Sequence, residues 1–252
     1  AREIASYGIT FNTPDIDIKK LAGKKQEIVD KLASGVASLA EARKVEVLQG
    51  RGEFIDEHTL QVGNQQVSFD HCIIATGSSP FTLPFLPKDD PRIWDSTDAL
   101  EVREIPPRLT VLGGGIIGLE MAEVYHRLGS KVTVVEMADQ IIPGADSDLV
   151  RPLYKQISRD YEGVYLKTTV TAVKSGKKGL SISLEGKNAP ETLEADVLLA
   201  AVGRRSSSDG LGLEAAGVQA DPSGVIKVDE FQRTSVSHIY AVGDVTGPPM
   251  LA

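Results

Sequence analysis

Apolar residues Ile18, Leu21, Ile28, Leu32, Val36 and Leu39 recur at spacings near three, four or seven among charged neighbours. That period matches one face of an α-helix and predicts an amphipathic helix from about Asp15 to Arg43, facing solvent with one packed stripe and carrying no chemistry. The period then changes. KVEVLQGRGEFID, TLQVGN and QQVSFDHCIIATG alternate and are rich in β-branched residues, which predicts a small meander ending in a buried strand. Gly63-Asn64 fits a turn between two of its members. Pro80, Pro84, Pro87 and Pro91 then crowd a stretch that no helix or central strand tolerates, so a crossover and a domain boundary are placed there.

From Arg108 the pattern reads strand, glycine turn, helix, strand, in RLTVLGGG, IIGLEMAEVYHRLG and KVTVVEM. This is a βαβ unit with a helix of suitable crossover length. A second helix is expected over about Asp148 to Arg159, followed by strands in VYLKTTVTAVKSG, GLSISLEG and ADVLLAAVGR. Beyond Asp221-Pro222-Ser223-Gly224, VIKVD and HIYAVG read as two more short strands.

Composition narrows the function classes. The 252 residues are 41% hydrophobic and 25% charged, enough for a real core and unlike a disordered chain. A net charge of -8 with 27 scattered Lys and Arg argues against a nucleic-acid surface. There is no apolar run long enough for a transmembrane segment and no secretory core at the start. The chain lacks an initiating Met, and both ends read as cut from something longer. Cys72 is the single cysteine, which excludes an internal disulfide framework and any thiol pair within these residues. His58, His71, His126 and His238 are scattered and read as structural. A reduced, disulfide-poor chain suits cytoplasm or an organelle matrix.

Gly113, Gly115 and Gly118 form G-x-G-x-x-G between a strand and a helix, the context in which that pattern carries weight. The first glycine makes the tight turn, the second lets backbone approach a pyrophosphate, and the third lets helix pack on strand. Gly114, Ile116 and Ile117 complete the loop, whose N–H groups and helix dipole face the phosphates. Glu136 ends the next strand 18 residues past Gly118, near the spacing of about 20 expected for the residue that reads the ribose. A carboxylate there accepts from both ribose hydroxyls and repels a 2′-phosphate, so NAD is favoured over NADP. Glu120, in the first helical turn, is accounted for by the helix dipole alone.

The run GGGIIGLEMAEVYHRLGSKVTVVE, with CIIATGSSP and RIWDSTDALEVREIPP upstream and HIYAVGDVTGPPMLA downstream, resembles the pyridine nucleotide-disulphide oxidoreductases. Within them it is most similar to the dihydrolipoamide dehydrogenase branch, over essentially all 252 residues. The resemblance implies an α/β fold: a Rossmann-like NAD-binding domain, parallel sheet plus antiparallel meander, inserted into a partial, discontinuous FAD-binding domain. The expected division is 1–83 and 221–252 for the FAD part and 84–220 for the NAD part. It implies that Val170 packs on the adenine, that Ala201, Val202, Gly203 and Arg204 line the path to nicotinamide, and that Glu120 lies near nicotinamide and flavin. On the FAD side it implies Gly52 by the adenine half, Ala75, Thr76 and Gly77 at a turn by the cofactor, Asp244 on the ribityl chain, and backbone of Met250, Leu251 and Ala252 by the isoalloxazine.

The sequence also departs from that family. Arg205-Ser206-Ser207-Ser208 stands where a Pro-Asn pair is usual, which puts that loop's stiffness in question. The flavin-side glycine motif, the redox cysteine pair and the C-terminal His and Glu have no counterpart. The resemblance thus implies the internal part of an enzyme that oxidises a dihydrolipoyl domain of a 2-oxo-acid dehydrogenase complex, homodimeric when complete, and inactive as this segment alone. Alternatives are a non-catalytic NAD-binding module and another flavin-dependent disulfide reductase or transhydrogenase.

Overall fold

The computed structural model describes residues 7–9 and 14–250. Helix α1 (Ile18–Ala42) begins at Asp17, whose carboxylate accepts the Lys20 backbone N–H at 3.1 Å and so fills one of the orphan donors of the first turn. No residue of α1 is buried, and Leu32 and Val36 are 67% and 68% exposed. Lys25 reaches the rest of the chain, donating to the Leu100 carbonyl at 3.0 Å. The expected packed stripe is therefore not packed. Periodicity shows that a helix has an apolar face and says nothing of what lies against it.

Strands β1 (Gly52–Asp56), β2 (Thr59–Val62) and β3 (Gln65–Ser68) form the antiparallel meander, with Gly63 in the left-handed region at φ 58 in the expected turn. Residues 44–50 stay outside it. Strand β4 (Cys72–Ile74) leaves the meander and is covered on one side only, with Ile74 buried and Ile73 exposed, a correction to the buried strand expected there. After β5 (Ser78–Pro80) come β6 (Ile93–Trp94) and α2 (Ser96–Glu101), which starts in a reciprocal capping box between Asp95 and Asp98. The βαβ unit follows as read: β7 (Arg108–Leu112), α3 (Ile116–Leu128) and β8 (Lys131–Val135).

Helix α4 (Ser147–Asp160) also lies where expected. The segment VYLKTTVTAVKSG, however, is two strands, β9 (Gly163–Tyr165) and β10 (Thr169–Gly176), separated at Lys167, which adopts φ 50. A residue in that left-handed conformation cannot continue a ladder, and the two halves join different sheets. Strands β11 (Gly179–Glu185) and β12 (Thr192–Ala195) complete an antiparallel unit with β10. Next come β13 (Val197–Ala200), β14 (Arg204–Ser206) and β15 (Ile239–Ala241). VIKVD forms no strand; Ile226 makes a lone bridge to Ala220.

The parallel sheet runs in the order β6-β13-β7-β8-β9. Alternation along its strands explains why they read as continuous apolar runs. Leu109, Val111, Val132, Val134, Val197 and Leu199 pack with Ala122 and Tyr125 of α3. Leu112, Val135, Leu198 and Ala200 face Val173, Leu180 and Ile182 of the antiparallel unit. The structure is therefore a Rossmann-like α/β sandwich with helices on one face and a meander on the other. A further core joins Phe54 and Ile74 to Ala216, Val218, Ile239 and Ala241. There β4 pairs in parallel with β15, across the whole intervening parallel unit. The chain re-enters this region through β14, which pairs antiparallel with β5.

Candidate functional site

The glycine turn is shaped by close packing. Gly113 sits at φ 105, and a Cβ there would strike the Ala201 carbonyl; a Cβ on Gly118 would strike the Gly113 carbonyl. No heavy atom lies within 4 Å of the place a Gly115 Cβ would occupy, leaving the backbone open to an approaching group. Helix α3 starts at Gly115 with no side-chain cap and no acidic residue in its first turn. Its first N–H groups are thus left for a ligand, and the helix dipole favours an anion. The turn fits a diphosphate on its own geometry.

Glu136 comes next to this turn because β8 lies beside β7 in the sheet. Its side chain is largely buried, and both oxygens are engaged: Oε2 accepts from Gly114 N–H at 2.6 Å and Oε1 from Ala138 N–H at 2.7 Å. Two backbone donors hold the carboxylate in one orientation and leave each oxygen a second lone pair. The loop after β8 is pinned to the same turn by Ile142 N–H donating to the Gly114 carbonyl at 2.8 Å.

These parts wall a crevice of about 700 Å³ at the carboxyl ends of the parallel strands, where ligands of open α/β sheets bind. Gly113, Gly115, Ile116, Ile117, Glu136, Val170, Ala201, Val202, Gly203 and Arg204 all line it. Gly114 is buried and bonded to Glu136, and Gly118 packs helix on strand; neither is among the lining residues. Glu120 is exposed on α3 beyond its first turn and is not part of the lining. The position read as first-turn is thus the fifth residue of the helix.

Sequence reading missed several walls. Phe81, Leu83 and Phe85 enter from the proline-rich crossover, Met137, Ile142 and Pro143 from the loop after β8, Thr168 from the break before β10 and Thr169 from the start of β10. Their signal was weak, since a loop side chain has no period. Met137, directly after Glu136, is an apolar residue left 75% exposed, a feature that only the structure reveals.

Residues expected on the flavin side are more dispersed. Met250 and Pro248 line the same crevice. Gly52 opens β1 opposite Val62. Ala75 and Thr76 are exposed just past β4, and Gly77 follows at φ 70. Asp244 begins a 3-10 turn, Gly243–Thr246, after β15. Leu251 and Ala252 lie outside the described residues. The unusual Arg205-Ser206-Ser207-Ser208 stretch is held in place: Ser206 is buried and donates to the Asp244 carbonyl at 3.3 Å, and Ser207 N–H donates to the Gly77 carbonyl at 2.9 Å.

Cys72 is half-buried, and burial pushes its thiol up, away from the reactive thiolate. Among the described residues no group of three or more His, Cys, Asp or Glu could hold a metal ion, and no helix is long and apolar enough to cross a membrane.

A family model described as pyridine nucleotide-disulphide oxidoreductase matches residues 2–252. A dihydrolipoyl dehydrogenase of Vibrio cholerae is 48% identical over 257 residues, covering 100% of this chain and 54% of the relative. One from Thermus scotoductus is 42% identical over 244 residues, covering 95% and 52%. Among solved structures, LpdA from Mycobacterium tuberculosis matches with a TM-score of 0.86 at 26% identity, over 99% of this chain and 55% of that one. The HOCl-induced flavoprotein disulfide reductase RclA from Escherichia coli, in its Cu(II) complex, matches with a TM-score of 0.84 at 30% identity, over 94% and 54%. The chain spans about half the length of the curated relatives it matches.

Proposed function

The chain belongs to the pyridine nucleotide-disulphide oxidoreductase family, and from that premise we propose that it is the NAD-binding unit, with part of the FAD cradle, of a dihydrolipoyl dehydrogenase. The observation that carries the reading is Glu136, a buried carboxylate locked to the glycine turn by Gly114 N–H and facing the crevice. In this reading the N–H groups at the start of α3 hold the diphosphate, and Glu136 accepts from the ribose hydroxyls. The same charge turns away a 2′-phosphate, so NAD is preferred over NADP. Val170 packs on the adenine, and Ala201, Val202, Gly203 and Arg204 direct the nicotinamide. Apolar walls exclude water from the reacting face and narrow the orientations open to it.

FAD, when bound, supplies a two-electron carrier between a dithiol and NAD. Asp244, Gly52, Ala75, Thr76, Gly77 and Met250, together with Leu251 and Ala252, form the part of its cradle present in this chain, whereas Glu120, exposed and outside the crevice lining, is given no role. The division into 1–83, 84–220 and 221–252 is taken over with its second boundary moved earlier, because Ala216 and Val218 pack against Phe54 and Ile74 on the FAD side. Cys72 is the one cysteine present, so this chain by itself does not turn over. The complete protein is a homodimer that oxidises the dihydrolipoyl domain of a 2-oxo-acid dehydrogenase complex, in the cytoplasm or an organelle matrix.

Calorimetry with NADH and NADPH on the chain tests the binding half, with NADH at least about tenfold tighter expected; equal affinities would refute the role of Glu136. The full gene product tests the other half. It is expected to show a bound-flavin spectrum and to reduce NAD with dihydrolipoamide, and a colourless protein would overturn the assignment.

A further inference from the structure

Asp244 stands just past the carboxyl end of β15, and one of its carboxylate oxygens is engaged within the protein: Ser78 Oγ donates to Oδ2 at 2.6 Å. Ser78 is in turn held by Arg204, whose Nε donates to Ser78 Oγ at 2.6 Å and whose Nη2 donates to the Ser78 carbonyl at 2.8 Å. Chemistry sets the direction of this chain. A guanidinium has no acceptor and a carboxylate no donor, so the Ser78 hydroxyl hydrogen must point at Asp244. Arg204 Nε and Asp244 Oδ2 are 3.7 Å apart, and their side chains are 15% and 21% exposed, so opposite charge reinforces the bridge in a poorly hydrated place. Asp244 Oδ1 makes no hydrogen bond to the protein among the described residues.

The bridge spans three elements. Arg204 lies in β14, Ser78 in β5, and Asp244 in the turn after β15; Arg204 is also a wall of the dinucleotide crevice. We propose that Ser78 and Arg204 are positioning residues that fix the Asp244 carboxylate through Oδ2, so that Oδ1 is presented to a hydroxyl of the flavin's ribityl chain. The same bridge ties that acceptor to the wall beside which the nicotinamide lies. The inference rests on the flavoenzyme reading above and adds to it the residues that aim the acceptor. Without the Ser78 hydroxyl, nothing stands between guanidinium and carboxylate, and Asp244 rotates toward Arg204 and away from the ligand.

The test uses the full gene product, stripped of flavin and titrated with FAD by fluorescence quenching, with NADH affinity measured in parallel. Ser78→Ala is expected to weaken FAD by about tenfold or more while NADH affinity stays within about twofold. Ser78→Thr keeps the hydroxyl and is expected to restore FAD binding, which a merely structural role would not require. A Ser78→Ala protein with unaltered FAD affinity, or a threonine variant as weak as the alanine one, overturns the inference and leaves the flavoenzyme reading standing. A wild-type protein that binds no FAD overturns both. In the flavin-free 252-residue chain, the losses in urea midpoint from Ser78→Ala and Asp244→Ala should be non-additive, because both cut one bridge. Additive losses show that the bridge does not exist and sink the proposal without reference to flavin.

Discussion

A buried carboxylate is costly to hold unless its oxygens are matched, and at Glu136 the N–H groups of Gly114 and Ala138 meet that condition. Those donors are backbone atoms of the glycine turn and of the loop after β8, so the group proposed to read the sugar also fixes the shape of the turn. Replacing Glu136 with Ala is therefore expected to weaken NADH binding by about 1 to 3 kcal/mol in calorimetry. It should also lower the urea midpoint, because two donors lose their acceptor. At this scale much was legible in the chain: residue type and spacing picked out Gly113 and Gly118, whose close packing shapes the turn, Gly115, which is open, and Glu136, which lies beside them. The bonding of Glu136 to Gly114 was not, since a hydrogen bond across 22 residues exists only once β7 and β8 lie side by side.

Among the elements, α1 and the β6 edge differ in what holds them. No residue of α1 is buried, so Leu32→Ser should change the stability of this chain by no more than about 0.5 kcal/mol, as measured by urea unfolding. A loss of several kcal/mol would mean that the stripe is packed after all. Beside β6, Arg92 donates to the Asp90 carboxylate at 2.6 and 2.8 Å, and Ser175 of β10 donates to it at 2.5 Å. Arg92 also reaches the Gly176 carbonyl at 2.9 Å, which clips the antiparallel unit to the edge of the parallel sheet. Hydrogen bonds from Arg92, more than any other cause, hold the Asp90 carboxyl far below the usual carboxylate range. A depressed folded value means that this group stabilises the fold above about pH 4 and loses that contribution as the pH falls further. The melting-temperature gap between wild type and Asp90→Asn should accordingly narrow between about pH 6 and pH 2. A constant gap would remove the ion pair from the account. Sequence patterning located α1, α3 and α4 well because each has many periodic positions, and it merged β9 with β10 because a single residue at φ 50 leaves no periodic mark.

For the whole molecule, a dinucleotide that binds between the glycine turn and β13 should stabilise the sandwich that builds its site. NADH at about 100 times its dissociation constant is expected to add about 2.7 kcal/mol to unfolding, read from the emission of Trp94, the sole tryptophan. Hydrogen exchange should show the added protection in the cores around Val111 and Leu198, with less around Ile74 and Ile239. Equal protection everywhere would mean that the crevice is not the binding site. The sequence by itself determined the βαβ unit, its glycine turn and the acidic residue beside that turn, because each is a local pattern whose physics acts within a few turns or one strand crossover. Tertiary structure alone decided that β4 leaves its meander for β15, that the proline-rich crossover supplies Phe81 and Phe85 to the crevice, and that Ser78 falls between Arg204 and Asp244. Those pairings join residues more than a hundred positions apart, or loops without a period, and what brings them together is the burial of the sheet's two faces.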